Sequence, residues 1–367
     1  MIDAPDKLAE LRLGISLDEH TTIHLGGKAK YFVSCQTTDR IRSALSFAAS
    51  KNLSAQILGG GSNIIFPDEG FDGLVIKVDL KGIRFEDDGD FTNAYVAAGE
   101  AWDDFVKSCI YNDLAGVECL SGIPGSVGAT PIQNVGAYGQ EVKDTILSVK
   151  AIDRRSLKLV EFTSGGCEFD YRKSRFKSKD RDAFVVVKVA YRLKKYGEPE
   201  IKYAELREYI ESKKLLQDTE ASASGAGSKR KLETVRDAVL ALRRRKSMVI
   251  DPTDPNSRSV GSFFVNPILS EKEYEKFLDR LKANQIERAP SFKSTTGTKI
   301  PAAWLVENSG FHRGYRKSGV GISSNHALAL VNYSGTANEL LSLAADIENA
   351  VLDKFGIKLE KEAVVVQ

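Results

Sequence analysis

No stretch of this 367-residue chain approaches the ~18 consecutive apolar residues needed to cross a bilayer, so membrane insertion is not expected. The first residues (Met1, Asp3, Asp6, Lys7, Glu10) are charged where a secretory signal is apolar, and a cytoplasmic location is expected. Cysteine is scarce: Cys35, Cys109, Cys119 and Cys167 show neither CxxC spacing nor histidine neighbours. They read as reduced core or site-wall residues. The four histidines, His20, His24, His312 and His326, lack metal-ligand spacing, so no metal site is expected, and no Ser-His-Asp order stands out. Neither sign of charge is in excess. Lys plus Arg is 52 and Asp plus Glu is 50, a net of 52 − 50 = +2, which gives no global reason to expect nucleic acid or a membrane surface as partner. No internal repeat marks the chain as a solenoid.

What is present is an ordinary globular composition, 42% hydrophobic and 28% charged, long enough for two or three domains. Ile41, Ala44, Leu45 and Ala48 recur at helical spacing after Thr38, which can cap that helix. Strands are expected over Gln56 to Leu58, Leu74 to Val78 and Tyr95 to Ala98. A second amphipathic helix carries Trp102, Phe105, Val106, Cys109 and Ile110. Val185, Val187, Val189, Tyr191 and Leu193 alternate with Lys188 and Arg192 as a half-buried strand does. The small, polar run from Asp218 to Lys231 predicts a flexible surface loop. A helix is then expected from Thr234, with Asp237 completing a capping box and Val235, Ala238, Val239 and Leu242 as the apolar face. The same start signal appears at Ser270 with Glu273 and at Thr336 with Glu339, and Gly356 can close the last helix.

Two glycine-rich segments stand apart. Leu58 to Asn63, LGGGSN, directly follows a strand, so its backbone can approach a bulky anion and cradle phosphate oxygens. A tight strand exit explains it equally well, and it is neither a P-loop nor a GxGxxG fingerprint. Ser121 to Gln140, SGIPGSVGATPIQNVGAYGQ, holds five glycines and two prolines and lacks any charged residue. It is too polar for a core element and too proline-fixed for a loose linker. Together the two favour a dinucleotide cofactor without naming it. Three other segments are less distinctive. Tyr171 to Lys177, YRKSRFK, resembles a solvated basic edge. In VGSFFVNP (Val260 to Pro267), Ser262 stands before two phenylalanines and could face a water-poor pocket. Glu360 to Glu362 has the look of an exposed charged tail.

In order along the chain, TTIHLGGKAKYFV from Thr21, ILGGGSN from Ile57, SGIPG…QNVGAYGQE ending at Glu141, YRKSRFK, GSFFVNP, IPAAWLVENSGF from Ile300, SSNHALALVN from Ser323 and LEKE from Leu359 resemble the UDP-N-acetylenolpyruvoylglucosamine reductase family. That resemblance implies an α+β fold. It comprises a two-part FAD-binding domain of the vanillyl-alcohol-oxidase/PCMH type and a C-terminal α+β substrate-binding domain. The expected divisions are residues 1–200 (subdomains of about 1–75 and 76–200), 201–345, and a segment 346–367 that returns to the active site. It implies reduction of UDP-N-acetylglucosamine enolpyruvate to UDP-N-acetylmuramate, with non-covalent FAD as cofactor, NADPH as co-substrate, and a monomer.

The family's residues carry over position by position. Gly59, Gly60, Gly61, Ser62, Asn63, Gly122 and Gly125 would hold the FAD pyrophosphate, with Gln133 and Asn134 on the flavin side. Arg172 would hold the substrate carboxylate, Ser262 would donate the proton, and Glu362, buried with a raised pKa, would assist. Tyr203, Lys246, Asn266 and Asn308 would bind the sugar nucleotide, although Lys246 equally suits a helix C-terminus as one of four cations. The chain departs from the family at Val265 (often lysine), Lys361 (often proline) and Ala129 (often glycine or serine), and its Ser222 to Lys231 stretch is an insertion. Two other readings remain at this point: an oxidase built on the same FAD domain, and a flavin-free nucleotide-sugar-binding protein.

Overall fold

Alternating burial along its strands organises the first of two structural units in the computed structural model, which describes residues 8, 10–216 and 226–367. This unit comprises residues 1–15, 29–60 and 72–249; the second comprises 16–28, 61–71 and 250–367. The described residues among 201–249 fall in the first unit, and two short N-terminal pieces fall in the second.

In the first unit a six-stranded sheet is ordered Leu159–Thr163, Ile146–Asp153, Phe184–Lys195, Phe91–Ala97 and Ile83–Asp88, with Leu114–Ala115 pairing to the long central strand. Phe184–Lys195 is the strand read from Val185 to Leu193; Val185, Val187, Val189, Tyr191 and Leu193 are buried on one face, and on the other Lys188 and Arg192 are exposed while Val186 and Ala190 are buried too. A four-stranded sheet is ordered Arg12–Ser16, Lys28–Cys35, Phe71–Val78 and Ala55–Leu58. Helix α1, Thr38–Ser50, buries Ile41, Ala44, Leu45 and Ala48, but its cap is Thr37, whose side chain accepts from the Arg40 N–H. Helix α2, Trp102–Tyr111, buries the five apolar residues expected of it. Helix α3 is Ala204–Ser212 and α4 is Ala226–Arg245.

Helix α4 begins eight residues before the expected Thr234 (234 − 226 = 8). The Thr234 hydroxyl donates to the Arg230 carbonyl one turn back, so it is an interior residue and not a cap. Residues 226–231 of the expected loop are thus helical; residues 217–225 lie outside the described residues. The apolar face Val235, Ala238, Val239 and Leu242 does pack, against Cys119, Leu206 and Ile210.

The second unit has its own core, built from Phe263, Phe264, Phe277, Leu305, Leu330, Ile347 and Phe355 among others. Helix α5, Glu271–Ala283, and helix α7, Ala337–Phe355, flank a short α6, Ala302–Asn308, in the sequence. Both capping boxes read from the sequence, Ser270 with Glu273 and Thr336 with Glu339, are formed reciprocally, and Gly356 closes α7. The strands Ser259–Ser262, Ala329–Asn332, Val320–Ile322 and Arg316–Lys317 form one sheet in that order. No described helix is long and apolar enough to cross a membrane.

Candidate active site

In the first unit the two glycine-rich segments meet. A Cβ added to Gly60 would lie 2.7 Å from Gly125 Cα, and one added to Gly59 would lie 2.5 Å from Ser126 Oγ. Real Cβ atoms essentially never come that close, and at Gly60 the atoms met are backbone, so only glycine permits that approach. Backbone crossing backbone with no intervening side chain is the surface a pyrophosphate needs, and the residues present fit that group. Gly61, Ser62 and Asn63 continue the run in the second unit.

The first turn of α2 fastens the longer segment. The Trp102 backbone N–H donates to the Gly125 carbonyl at 3.0 Å, and its indole N–H donates to Leu120 at 2.9 Å. Asp103 Oδ1 accepts the Gly122 N–H at 2.6 Å. That last bond ties the amide of Gly122, one of the positions expected to hold the pyrophosphate, to a carboxylate. Further along, the Thr130 hydroxyl pairs with the buried Tyr191 hydroxyl at 2.8 Å.

Asn134 is likewise engaged within the protein. Its side chain is fully buried, donates to Glu141 Oε2 at 3.0 Å and to the Asp170 carbonyl at 3.1 Å, and accepts the Lys143 N–H at 3.1 Å. Both ends of the amide are therefore bound within the protein, and the side chain shapes the segment expected on the flavin side. Gln133 is half-buried beside it.

YRKSRFK is not merely a solvated edge. Ser174 is buried and donates to the Ile132 carbonyl at 2.6 Å, Phe176 is buried, and Arg175 pairs with Asp180 at 2.6 Å. Arg172, half-buried, donates from Nη2 to the Gly136 carbonyl at 2.7 Å. A residue from the basic segment is thereby held against the glycine-rich one.

Tyr203 precedes α3, is 47% exposed and meets Tyr138 edge to face at 5.6 Å. Burial raises the pKa of both phenols, that of Tyr138 to about 12 despite the opposing Arg243 charge, so both stay protonated at neutral pH. Lys246 donates to Glu205 on α3 at 2.6 Å. Arg243 is buried, which lowers its pKa, and its Nε has no partner among the described residues. The basic run at the end of α4 gave no signal that one of its four cations would be internal.

In the second unit a short antiparallel pairing joins GSFFVN to LEKE. Phe264 bridges Lys361, Val265 N–H donates to Glu360 at 2.9 Å and Glu362 N–H donates to Phe263 at 2.8 Å. Ser262 and Glu362, a hundred positions apart, are thus brought to neighbouring places on one ladder (362 − 262 = 100). Asn63 joins them: its Nδ2 donates to the Glu362 carbonyl at 3.2 Å and its carbonyl accepts from Val364 at 3.0 Å. Glu362 is half-buried, where a buried carboxylate was expected. Lys361, the departure beside it, forms an ion pair with Glu348 on α7 at 2.5 Å. Asn266 Oδ1 accepts the Ala302 N–H at 2.8 Å and Asn308 Nδ2 donates to Trp304 at 2.8 Å, so these two lie at opposite ends of α6. All four cysteines are free and buried; burial raises Cys35 and Cys167 to about 12, which makes them poor nucleophiles. No group of three or more metal-ligating side chains occurs among the described residues.

The fold and the meeting of its glycine segments define a protein with an FAD-binding domain: residues 29–161 match the family model described as "FAD binding domain". The solved structure of 6-hydroxy-D-nicotine oxidase from Arthrobacter nicotinovorans shares the fold, with a TM-score of 0.52, 14% identity, and coverage of 96% of this chain and 88% of that one. Residues 252–366 match the model described as "UDP-N-acetylenolpyruvoylglucosamine reductase, C-terminal domain". The reductase of that name from Thermobifida fusca is 42% identical over 96% of this chain and 97% of its own length, and that from Salinispora arenicola is 40% identical over 95% and 94%. The solved UDP-N-acetylenolpyruvylglucosamine reductase of Thermus caldophilus aligns over 98% of both chains with a TM-score of 0.64 and 21% identity. The chain belongs to the UDP-N-acetylenolpyruvoylglucosamine reductase family.

Proposed function

We propose that this protein reduces UDP-N-acetylglucosamine enolpyruvate to UDP-N-acetylmuramate with NADPH, in peptidoglycan precursor synthesis in the cytoplasm. FAD, held non-covalently by Gly59, Gly60, Gly61, Ser62, Asn63 and Gly125, supplies the hydride chemistry. The carbon–carbon double bond of the enolpyruvyl group gains a hydride at its terminal carbon and a proton at the adjacent one; NADPH becomes NADP+.

Ser262 holds the proton for that adjacent carbon, which becomes a strong base as the hydride arrives. A hydroxyl within hydrogen-bond reach then suffices despite its weak acidity. Arg172 faces the substrate carboxylate, onto which negative charge is pushed, so the guanidinium attracts it more in the transition state than before. Its bond to Gly136 fixes where the remaining donors point. Glu362 orients the same carboxylate end and shares its proton. Tyr203, Lys246, Asn266 and Asn308 bind the sugar nucleotide, with Lys246 exchanging Glu205 for the diphosphate.

The pairing of GSFFVN with LEKE supports this reading most, because it sets side by side two stretches of backbone, carrying Ser262 and Glu362, that the sequence separates widely. The test is direct. Purified protein should be yellow and should consume NADPH in step with formation of UDP-N-acetylmuramate. A colourless protein that binds the UDP-sugar without turning it over contradicts the reading. Rapid oxygen consumption with hydroxy acids, together with indifference to the UDP-sugar, contradicts it as well.

A further inference from the structure

We propose that Asp103 and Arg236 are positioning residues for the cofactor: an ion pair between α2 and α4 sets the Gly122–Gly125 segment against Gly60 and so governs how tightly flavin is held. The inference rests on the FAD-binding role given to that segment above.

Arg236 Nη1 and Nη2 donate to Asp103 Oδ1 and Oδ2, each at 2.7 Å, in a two-pronged fork. The guanidinium side chain is only 11% exposed and the carboxylate 28%. Asp103 Oδ1 simultaneously accepts the Gly122 N–H at 2.6 Å, a charge-assisted bond. Burial opposes ionisation of Asp103, but the bonds from Arg236 and Gly122 and the charges of Arg236 and Lys107 outweigh it. One carboxylate therefore holds a helix on one side and the glycine segment on the other. Trp102, its chain neighbour, holds the same segment at Leu120 and Gly125.

Two consequences bear on the cofactor. Displacement of Gly122 moves Gly125, and the Gly60–Gly125 approach leaves no slack for that. A carboxylate beside a segment that binds an anion also repels it unless neutralised; Arg236 provides the closer neutralising charge and Lys107, 3.6 Å from Asp103, a second. The fork thus both places the segment and cancels the charge of the residue that places it.

The experiment measures flavin release from the full-length holoprotein after dilution, followed by the rise in flavin fluorescence. Arg236→Met should release flavin about tenfold faster, equivalent to ~1.4 kcal/mol if the association rate is unchanged. Its excess over wild type should shrink as salt rises and screens the carboxylate, left with Lys107 alone. Asp103→Ala should accelerate release by a similar factor. Asp88→Ala, which breaks the ion pair with Arg192 at 3.1 Å elsewhere in the same unit, is the control for general loosening and should leave release within about twofold of wild type. If Asp103→Ala yields no folded holoprotein, Arg236→Met carries the test alone. Release at the wild-type rate from Arg236→Met, or equal acceleration in the Asp88→Ala control, overturns the proposal. A wild-type protein that holds no flavin at all would instead overturn the functional reading on which it rests.

Discussion

Gly60 and Gly125 approach until a single methyl on Gly60 would stand 2.7 Å from the Gly125 Cα. Two segments far apart in the chain thereby form one backbone surface. Gly60→Ala must push them apart, and overpacking of this kind costs about 1–3 kcal/mol. The variant should melt at lower temperature and purify with less flavin per chain, read from the ratio of flavin to protein absorbance. Full flavin occupancy in a variant of unchanged stability would show that the approach has no bearing on the cofactor.

Ser262→Ala should separate the two halves of the reaction. Bleaching of the flavin by NADPH should stay within about twofold, whereas reoxidation by the enolpyruvyl substrate should slow by ~10²-fold or more, the usual range for loss of a positioned proton donor. Stopped-flow absorbance measures both. Equal losses would make Ser262 a structural residue.

Arg172→Lys should lower kcat/KM for the enolpyruvyl substrate by ~10²-fold, about 2.7 kcal/mol, since an ammonium cannot bind the Gly136 carbonyl and a carboxylate with one planar fork. Flavin reduction by NADPH should change little. A matched fall in that half-reaction would assign Arg172 to the architecture of the glycine segment alone.

Acid stability should carry a contribution from Asp103. Its folded pKa lies below the unfolded carboxyl value, so between the two the unfolded chain binds more protons. The stabilisation is therefore complete above the unfolded value of about 4 and is lost as pH falls through the folded one. Asp103→Asn should be less stable than wild type at neutral pH, and the gap should narrow on acidification below about pH 4. Chemical denaturation across that range measures it; a gap independent of pH would contradict the assignment.

What the sequence reveals depends on whether a residue's partner is local. The capping boxes at Ser270 and Thr336 were legible because cap and partner lie three residues apart, and the strand at Val185 because alternation is local too. Helix α4 was misread at its start because a small, polar composition resembles a loop, whereas Leu232 and Ser228 are buried by contacts the sequence does not display. The same limit applies at the site. The glycine segments announced themselves, but the partners of Gly122 and Asn134 come from Asp103, Glu141, Asp170 and Lys143, and only folding shows those groups to be taken. That Ser262 and Glu362 share a site was implied by the family resemblance alone; the Phe264–Lys361 bridge shows how the backbone brings their two stretches side by side.

The most direct test of the whole account is performed without oxygen. NADPH is added in equimolar amount to the purified yellow protein until the colour bleaches, and the enolpyruvyl UDP-sugar is then added. Return of the flavin absorbance, with UDP-N-acetylmuramate formed in step, is the predicted result. Flavin that stays bleached in the presence of that substrate, or that never bleaches with NADPH, would contradict it.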